Sequence, residues 1–188
     1  IVTNNNPYCG SSLKWVTFKN KFMNDNLPNY FSFDYEIKKD IILESLKLPK
    51  DYGIIDCGAH IGDGSIPIAH SLNKYNRSDI TVYAIDPSKY KCDFIEYMKK
   101  INNLDNLIVL NYGLSDKDNV EYTHAQDKNW IKDRNTGGIR WVQKVDNNDN
   151  LDDVKFITLD TLVSRNVITK PIGLIHLDVE EMEDKAIL

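Results

Sequence analysis

Ile54-Ile55-Asp56-Cys57-Gly58-Ala59-His60-Ile61-Gly62-Asp63-Gly64 is the stretch that decides the fold. Its first part, with Gly53 before it, is a short apolar run of the kind a buried parallel strand needs. Gly58 to Gly64 then turns the chain, because glycine lets the backbone bend tightly and lets a ligand approach closely. Residues 65–73 read as a helix, with Pro67 tolerated in its first turn. The same alternation continues outward. Residues 80–86 form a second strand, and 89–102 form an amphipathic helix bearing Phe94, Ile95, Met98 and Ile101. Residues 107–111 give a third strand and 172–178 a fourth. The pattern predicts an α/β fold with a parallel, doubly wound sheet and right-handed crossovers.

The flanks are less regular. Residues 13–18 alternate like a short strand, and 24–29 form a loop by their turn residues. A helix is expected to about Leu46, capped by Ser32 or Asp34. Its spacing puts Ile37, Ile41 and Ile42 on the buried face and Lys38, Lys39 and Glu44 outside. Residues 112–153 break the alternation with a polar insertion carrying Trp130, Trp141 and Gly137-Gly138. A hairpin is expected there, from 120–123 and 138–142. Residues 156–163 lead from strand to helix, and another helix is expected from Glu180 onward. The division expected is an N-terminal strand and helix extension over 1–50 and a nucleotide-binding type of domain over 51–188, with the insertion at about 112–153.

Composition excludes several classes. The 188 residues are 41% apolar and 27% charged, an ordinary globular balance. With 28 acids and 23 bases, the net charge is −5. A pI near 5.4 argues against a general nucleic-acid binder. No apolar run reaches the roughly 18 residues of a membrane helix. The three cysteines, Cys9, Cys57 and Cys92, are far apart and form no CxxC. That argues against a zinc site or disulfide framework and for a reducing, cytoplasmic setting.

The chemistry concentrates at the first strand-turn-helix. Ligands of open α/β sheets sit beyond the carboxyl ends of the strands, where the strand order reverses. Asp86 ends the second strand, 24 residues after Gly62. From there a carboxylate can accept both hydroxyls of a ribose diol. A dinucleotide site wants G-x-G-x-x-G, whereas the spacing here is Gly58-x-x-x-Gly62-x-Gly64 with Asp56 before it. An acid there repels a pyrophosphate but can receive an ammonium. That favours S-adenosyl-L-methionine, which carries a ribose and an amino acid but no phosphate. A bare structural turn also needs a glycine, so the glycines alone decide little.

Five blocks in order resemble the FkbM-type methyltransferases. Residues Ile55 to Gly62 resemble their D-V-G-A-N-I-G signature, and Val82-Tyr83-Ala84-Ile85-Asp86-Pro87 a block usually ending F-E-P. Asn111-Tyr112-Gly113-Leu114-Ser115-Asp116 resembles N-x-A-L-S-D, and Thr158-Leu159-Asp160-Thr161-Leu162 resembles T-L-D-x-L. Leu174 to Glu183 resembles I-K-I-D-V-E-G-A-E. His60 replaces Asn, Asp86 replaces Glu, His176 replaces Lys, and Glu181 replaces Gly.

The resemblance implies a Rossmann-like class I methyltransferase fold and methyl transfer from S-adenosyl-L-methionine to a hydroxyl, on a sugar or small natural product. It carries cofactor binding to Asp56, Gly58, Ala59, His60, Gly62, Asp86, Pro87, Ser115 and Asp116. A complete sheet of that class has seven strands, so it also implies that the C-terminal part lies beyond Leu188. A hydroxyl attacks only once deprotonated, so a base is expected near the methyl. Asp178 is the first candidate, Glu180 the second and His176 the third. Glu181 and Glu183 read better as acids favoured at a helix N-terminus. Asp86, Asp178 and Glu180 suit Mg²⁺ by type, but their spacing does not specify a metal, and none is expected. In the insertion, Arg140 beside Trp141 can clamp an anionic or sugar-like acceptor, although a plain surface hairpin explains them equally well. The competing functions are a catalytically silent binding module of the same fold and a nicotinamide-dependent oxidoreductase. Partners expected are a small-molecule or glycan acceptor, with no nucleic acid and no membrane span; homo-oligomerisation stays open.

Overall fold

The computed structural model describes residues 2–3, 13–16, 35–124, 141–143 and 154–187. Four parallel strands form where the apolar runs stand: β3 (Gly53–Cys57), β4 (Thr81–Ile85), β5 (Leu107–Leu110) and β10 (Ile172–Leu177). Their order across the sheet is β10-β3-β4-β5. From β3 the chain winds outward through α2 (Ser65–Lys74) and α3 (Lys89–Asn102), and then returns to the other side of β3 as β10. The reversal between β3 and β10 is the switch point of the sheet, where a crevice opens at the carboxyl ends.

Strand alternation divides the interior in two. Ile54, Val82, Ala84 and Leu107 face α2, α3 and the helix α1 (Tyr35–Ser45). Ile55, Cys57, Tyr83 and Ile85 face α4 (Leu159–Ser164) and α5 (Glu183–Ile187). Helices thus cover both faces, and all five residues of β3 are buried. Each fully buried aliphatic side chain contributes roughly 1.5–3 kcal/mol. β10 follows a different rule: its residues alternate between partly buried and exposed, and Ile175 is 45% exposed. Among the described residues, β10 ends the sheet.

Two short strands, β1 (Val2–Thr3) and β2 (Lys14–Trp15), pair antiparallel. Trp15 is fully buried against Phe94 in an edge contact with centroids 6.0 Å apart. A second small sheet has the order β6-β9-β7-β8, from Gly113–Leu114, Val154–Ile157, Val120–His124 and Trp141–Gln143. β7 and β8 pair antiparallel, which is the hairpin of the insertion. Residues 138–140, expected in its second strand, lie outside the described residues.

Two local expectations are corrected. On α1 the buried face is Lys38, Ile41, Ile42 and Ser45, while Ile37 is 50% exposed. Lys38 turns inward because its ammonium meets Asp63 at 3.0 Å, a partner distant in sequence. At the other end, the helix expected from Glu180 starts only at Glu183. Glu180 and Glu181 have φ of 52° and 72°, left-handed values that cannot continue a helix. Glu183 accepts the Val179 N–H at 3.1 Å and so closes that turn.

Candidate active site

A cleft opens at the carboxyl ends of the strands. Gly58, His60, Asp86, Pro87, Asp178 and Glu180 line it, together with Cys57, Lys91, Gly113, Leu114, Phe156, Val179 and Met182. Residues widely separated in sequence meet there because β3, β4 and β10 are neighbours and end together. The floor is a backbone junction: the Asp178 N–H donates to the Cys57 carbonyl at 2.9 Å. Gly58 has φ +82°, and a Cβ there would lie 1.8 Å from the Asp178 carbonyl oxygen. Only glycine fits that crossing. Gly62, at φ +80°, makes room for the Ile66 side chain in the same way and lies under the cleft rather than in it.

Asp86 forms one wall. It is 3% exposed, and both oxygens are oriented before any ligand arrives. The His60 N–H donates to Oδ2 at 2.9 Å and the Ser88 N–H to Oδ1 at 2.8 Å. A carboxylate offers about four lone-pair positions, so two remain for further donors. His60 takes the left-handed φ of 50° that aims its amide, a conformation His and Asn enter more readily than most residues. Lys91, also buried, sits 3.8 Å from Asp86 and neutralises it. Sequence reasoning missed Lys91. The available signal was a lysine in the first turn of α3, where the helix dipole disfavours a cation unless an acid faces it.

Behind this wall, Asp63 bonds Lys38 and lies 3.5 Å from the His60 Nδ1. Burial alone would raise the Asp63 pKa, but the His60 contact and the Lys38 charge hold it well below the carboxylate range. Lys38 and Asp63 were likewise missed, since neither carries a local signal.

Asp56 and His176 are register partners on β3 and β10 and lie on the opposite face of the sheet from Cys57. They bond each other, His176 Nδ1 to Asp56 Oδ1, at 2.9 Å, and neither lines the cleft. The bond raises the His176 pKa against the opposing effect of burial; Asp178 adds to the rise and Lys38 opposes it. Ala59 is buried beneath the turn, its N–H bonded to the Ile85 carbonyl. Ser115 is buried and donates to Asp116 Oδ1 at 3.1 Å, beside the cleft-lining Gly113 and Leu114. Asp116 is exposed. Trp141 belongs to β8 by its backbone, and Arg140 lies outside the described residues.

Cys57 and Cys92 are free and buried. Burial, with the Asp86 charge adding, pushes the Cys92 thiol up to about 12, and burial with Asp56 and Asp86 pushes Cys57 higher still. Both are neutral packing groups rather than nucleophiles. Among the described residues, no three His, Cys, Asp or Glu side chains are arranged to hold a metal ion. No helix among them is long and apolar enough to cross a membrane.

No curated protein matches the chain. Among solved structures it is similar to coclaurine N-methyltransferase bound to N-methylheliamine and SAH, at 19% identity and a TM-score of 0.31. That match covers 55% of this chain and 28% of that one, so the chain spans less than a third of the structure it matches. The model of the methyltransferase FkbM domain matches residues 56–187, more than half of the sequence. The chain belongs to the FkbM methyltransferase domain family.

Proposed function

We propose that the protein is an S-adenosyl-L-methionine-dependent O-methyltransferase acting on a hydroxyl of a sugar or small natural product. The observation that carries the reading is Asp86. It is a buried carboxylate at the end of β4, aimed by two backbone amides, with lone pairs left for a diol. The residues fit the cofactor: a vicinal diol supplies the two missing donors, and among the described residues lining the cleft Lys91 is the one Lys or Arg, already paired with Asp86. Pro87, Gly113 and Leu114 lie beside Asp86 on the nucleoside side, backed by Ser115 and Asp116. The Gly58 turn lies between Asp86 and Asp178, where a sulfonium chain can pass close to the backbone.

The bound cofactor supplies an electrophilic methyl group for in-line displacement. The protein's part is to orient the acceptor and take its proton. Asp178 is exposed in the cleft at the end of β10, so it can reach a hydroxyl and pass the proton to water. Glu180 is the second base candidate from the same wall. Arg140 and Trp141 are proposed to hold the acceptor. The unit proposed to do this is 51–188, with 1–50 as an extension and 112–153 as the acceptor-side insertion. Free, buried thiols suit a reducing cytoplasmic setting.

The test is isothermal titration with S-adenosylhomocysteine, followed by transfer of labelled methyl to a panel of sugar and phenolic hydroxyls. Binding with turnover on a hydroxyl is the expected result. Failure of the folded wild type to bind removes the reading. Binding without turnover on any acceptor would favour a silent module of the same fold.

A further inference from the structure

We propose that His176 is a positioning residue: its imidazolium holds the buried Asp56 carboxylate, so the floor of the cofactor cleft is in order only while His176 is protonated. The proposal rests on the cofactor reading above and adds a proton dependence to the same site.

The geometry begins with burial. Asp56 is 3% exposed, and its Oδ1 meets His176 Nδ1 at 2.9 Å. Its Oδ2 is buried with no hydrogen-bond partner, facing Gly64 at the start of α2. A buried carboxylate with one unpartnered oxygen depends on a counter-charge, because isolating such a charge is expensive. The charged groups around His176 are Asp56 from β3, Asp178 from the end of its own strand and Lys38 from α1. Lys38 is bonded to Asp63, and the group in direct contact with Asp56 Oδ1 is His176. A neutral imidazole can still share the hydrogen bond, but it supplies no charge.

The link to the cleft is short. Asp56 and His176 are register partners, and the next pair along is Cys57 and Leu177. One step further lie the bond from the Asp178 N–H to the Cys57 carbonyl and the tight Gly58 crossing. Loosening the Asp56–His176 bond therefore loosens the pairing of β3 with β10 just before the cleft floor. A lysine in place of His176 would carry its charge across the whole neutral range. Histidine makes the same clamp conditional.

The sign follows from the direction of the shift. The His176 pKa is raised, so its contribution is complete below the ordinary 6.5 and is lost as pH rises through the raised value.

The experiment uses the full chain and its His176→Lys, His176→Asn and Asp56→Asn variants. Titration with S-adenosylhomocysteine is run from about pH 6 to pH 8.5, with ligand-free thermal unfolding at each pH. Wild-type affinity should fall about tenfold across that window, the change expected if the bound ligand raises the His176 pKa by about one unit. His176→Lys should match wild type at the acid end and stay flat, which also corrects for titration of the ligand itself. His176→Asn should be weak throughout. Thermal stability should follow the same order without ligand, and an NMR titration should show the His176 pKa lowered in Asp56→Asn. A flat wild-type profile, or wild-type affinity in His176→Asn at pH 6, would overturn the proposal. If wild type binds no S-adenosylhomocysteine, the cofactor reading falls, and the stability and NMR profiles decide the clamp by themselves. If His176→Asn does not fold, the contrast between His176→Lys and wild type decides it.

Discussion

The two walls of the cleft carry acids of opposite character. On the β4 wall, Asp86 is buried, bonded by the His60 and Ser88 amides and neutralised by Lys91. On the β10 wall, Asp178 is exposed, and the following Glu180 and Glu181 sit at φ 52° and 72°. One wall is fully preorganised and the other stores backbone strain. A group that must accept a ligand's hydroxyls gains from being fixed in advance, since no ordering is left to be done on binding. A group that must take and release a proton needs access to water, and strain commonly gathers at such positions. On the proposed function, the difference separates holding the cofactor from acting on the acceptor.

Gly58 is the crossing between the walls, so its loss should have the largest effect. In Gly58→Ala the new methyl collides with the Asp178 carbonyl, and φ +82° is strained for alanine besides. A loss of about 4 kcal/mol is expected, at the extreme of single substitutions. Urea denaturation measures it, and a loss below about 1 kcal/mol would mean that β10 is not locked to the turn. Next is Asp86→Ala, which leaves Lys91 buried without its counter-charge and costs about 3 kcal/mol. It should also weaken S-adenosylhomocysteine binding by about tenfold or more, because two charge-assisted bonds vanish. Asp178→Asn should instead keep binding within about threefold and lower turnover. Equal binding losses in the two variants would erase the distinction between the walls.

Lys38→Met probes the support behind the Asp86 wall. Asp63 has a depressed folded pKa, so it stabilises the protein above its ordinary 3.8, and that contribution disappears as pH falls through the folded value. Removing Lys38 takes away one of its two partners and raises that folded value. Stability at neutral pH should drop by about 2 kcal/mol, and the acid-unfolding midpoint should move up. Circular dichroism across an acid titration reads both. An unchanged midpoint would show that His60 alone sustains Asp63.

Much of this was legible in the residues. The boundaries of β3 and α3 follow from a continuous apolar run and a 3.6-residue stripe, signals that buried parallel strands and covering helices cannot avoid. The meeting of Gly58, Asp86 and Asp178 in one cleft follows from strand order alone. Period-two alternation also dictates that if Cys57 faces the cleft, its strand neighbour Asp56 faces away from it. Other features had no local signature. Lys38 reads as surface because its partner Asp63 lies 25 positions away. β6 has two residues, too few to show any period. The left-handed pair at Glu180 and Glu181 contradicts local propensity, since glutamate has no preference for that conformation.

Glu181 offers the smallest effect and the cleanest reading of the strained wall. A left-handed conformation costs an L-residue about 1–2 kcal/mol, and glycine escapes it. Glycine also widens the unfolded ensemble, which returns roughly 0.5–1 kcal/mol of that gain. Glu181→Gly should therefore stabilise the protein by about 0.5–1 kcal/mol in urea denaturation at neutral pH. Glu181→Ala separates backbone from charge, because alanine removes the carboxylate and keeps the strained φ. If the strain is in the backbone, the alanine variant gains nothing. If both variants gain equally, the wall is destabilised by repulsion among Asp178, Glu180 and Glu181, and raising the salt concentration should then stabilise the wild type by a similar amount.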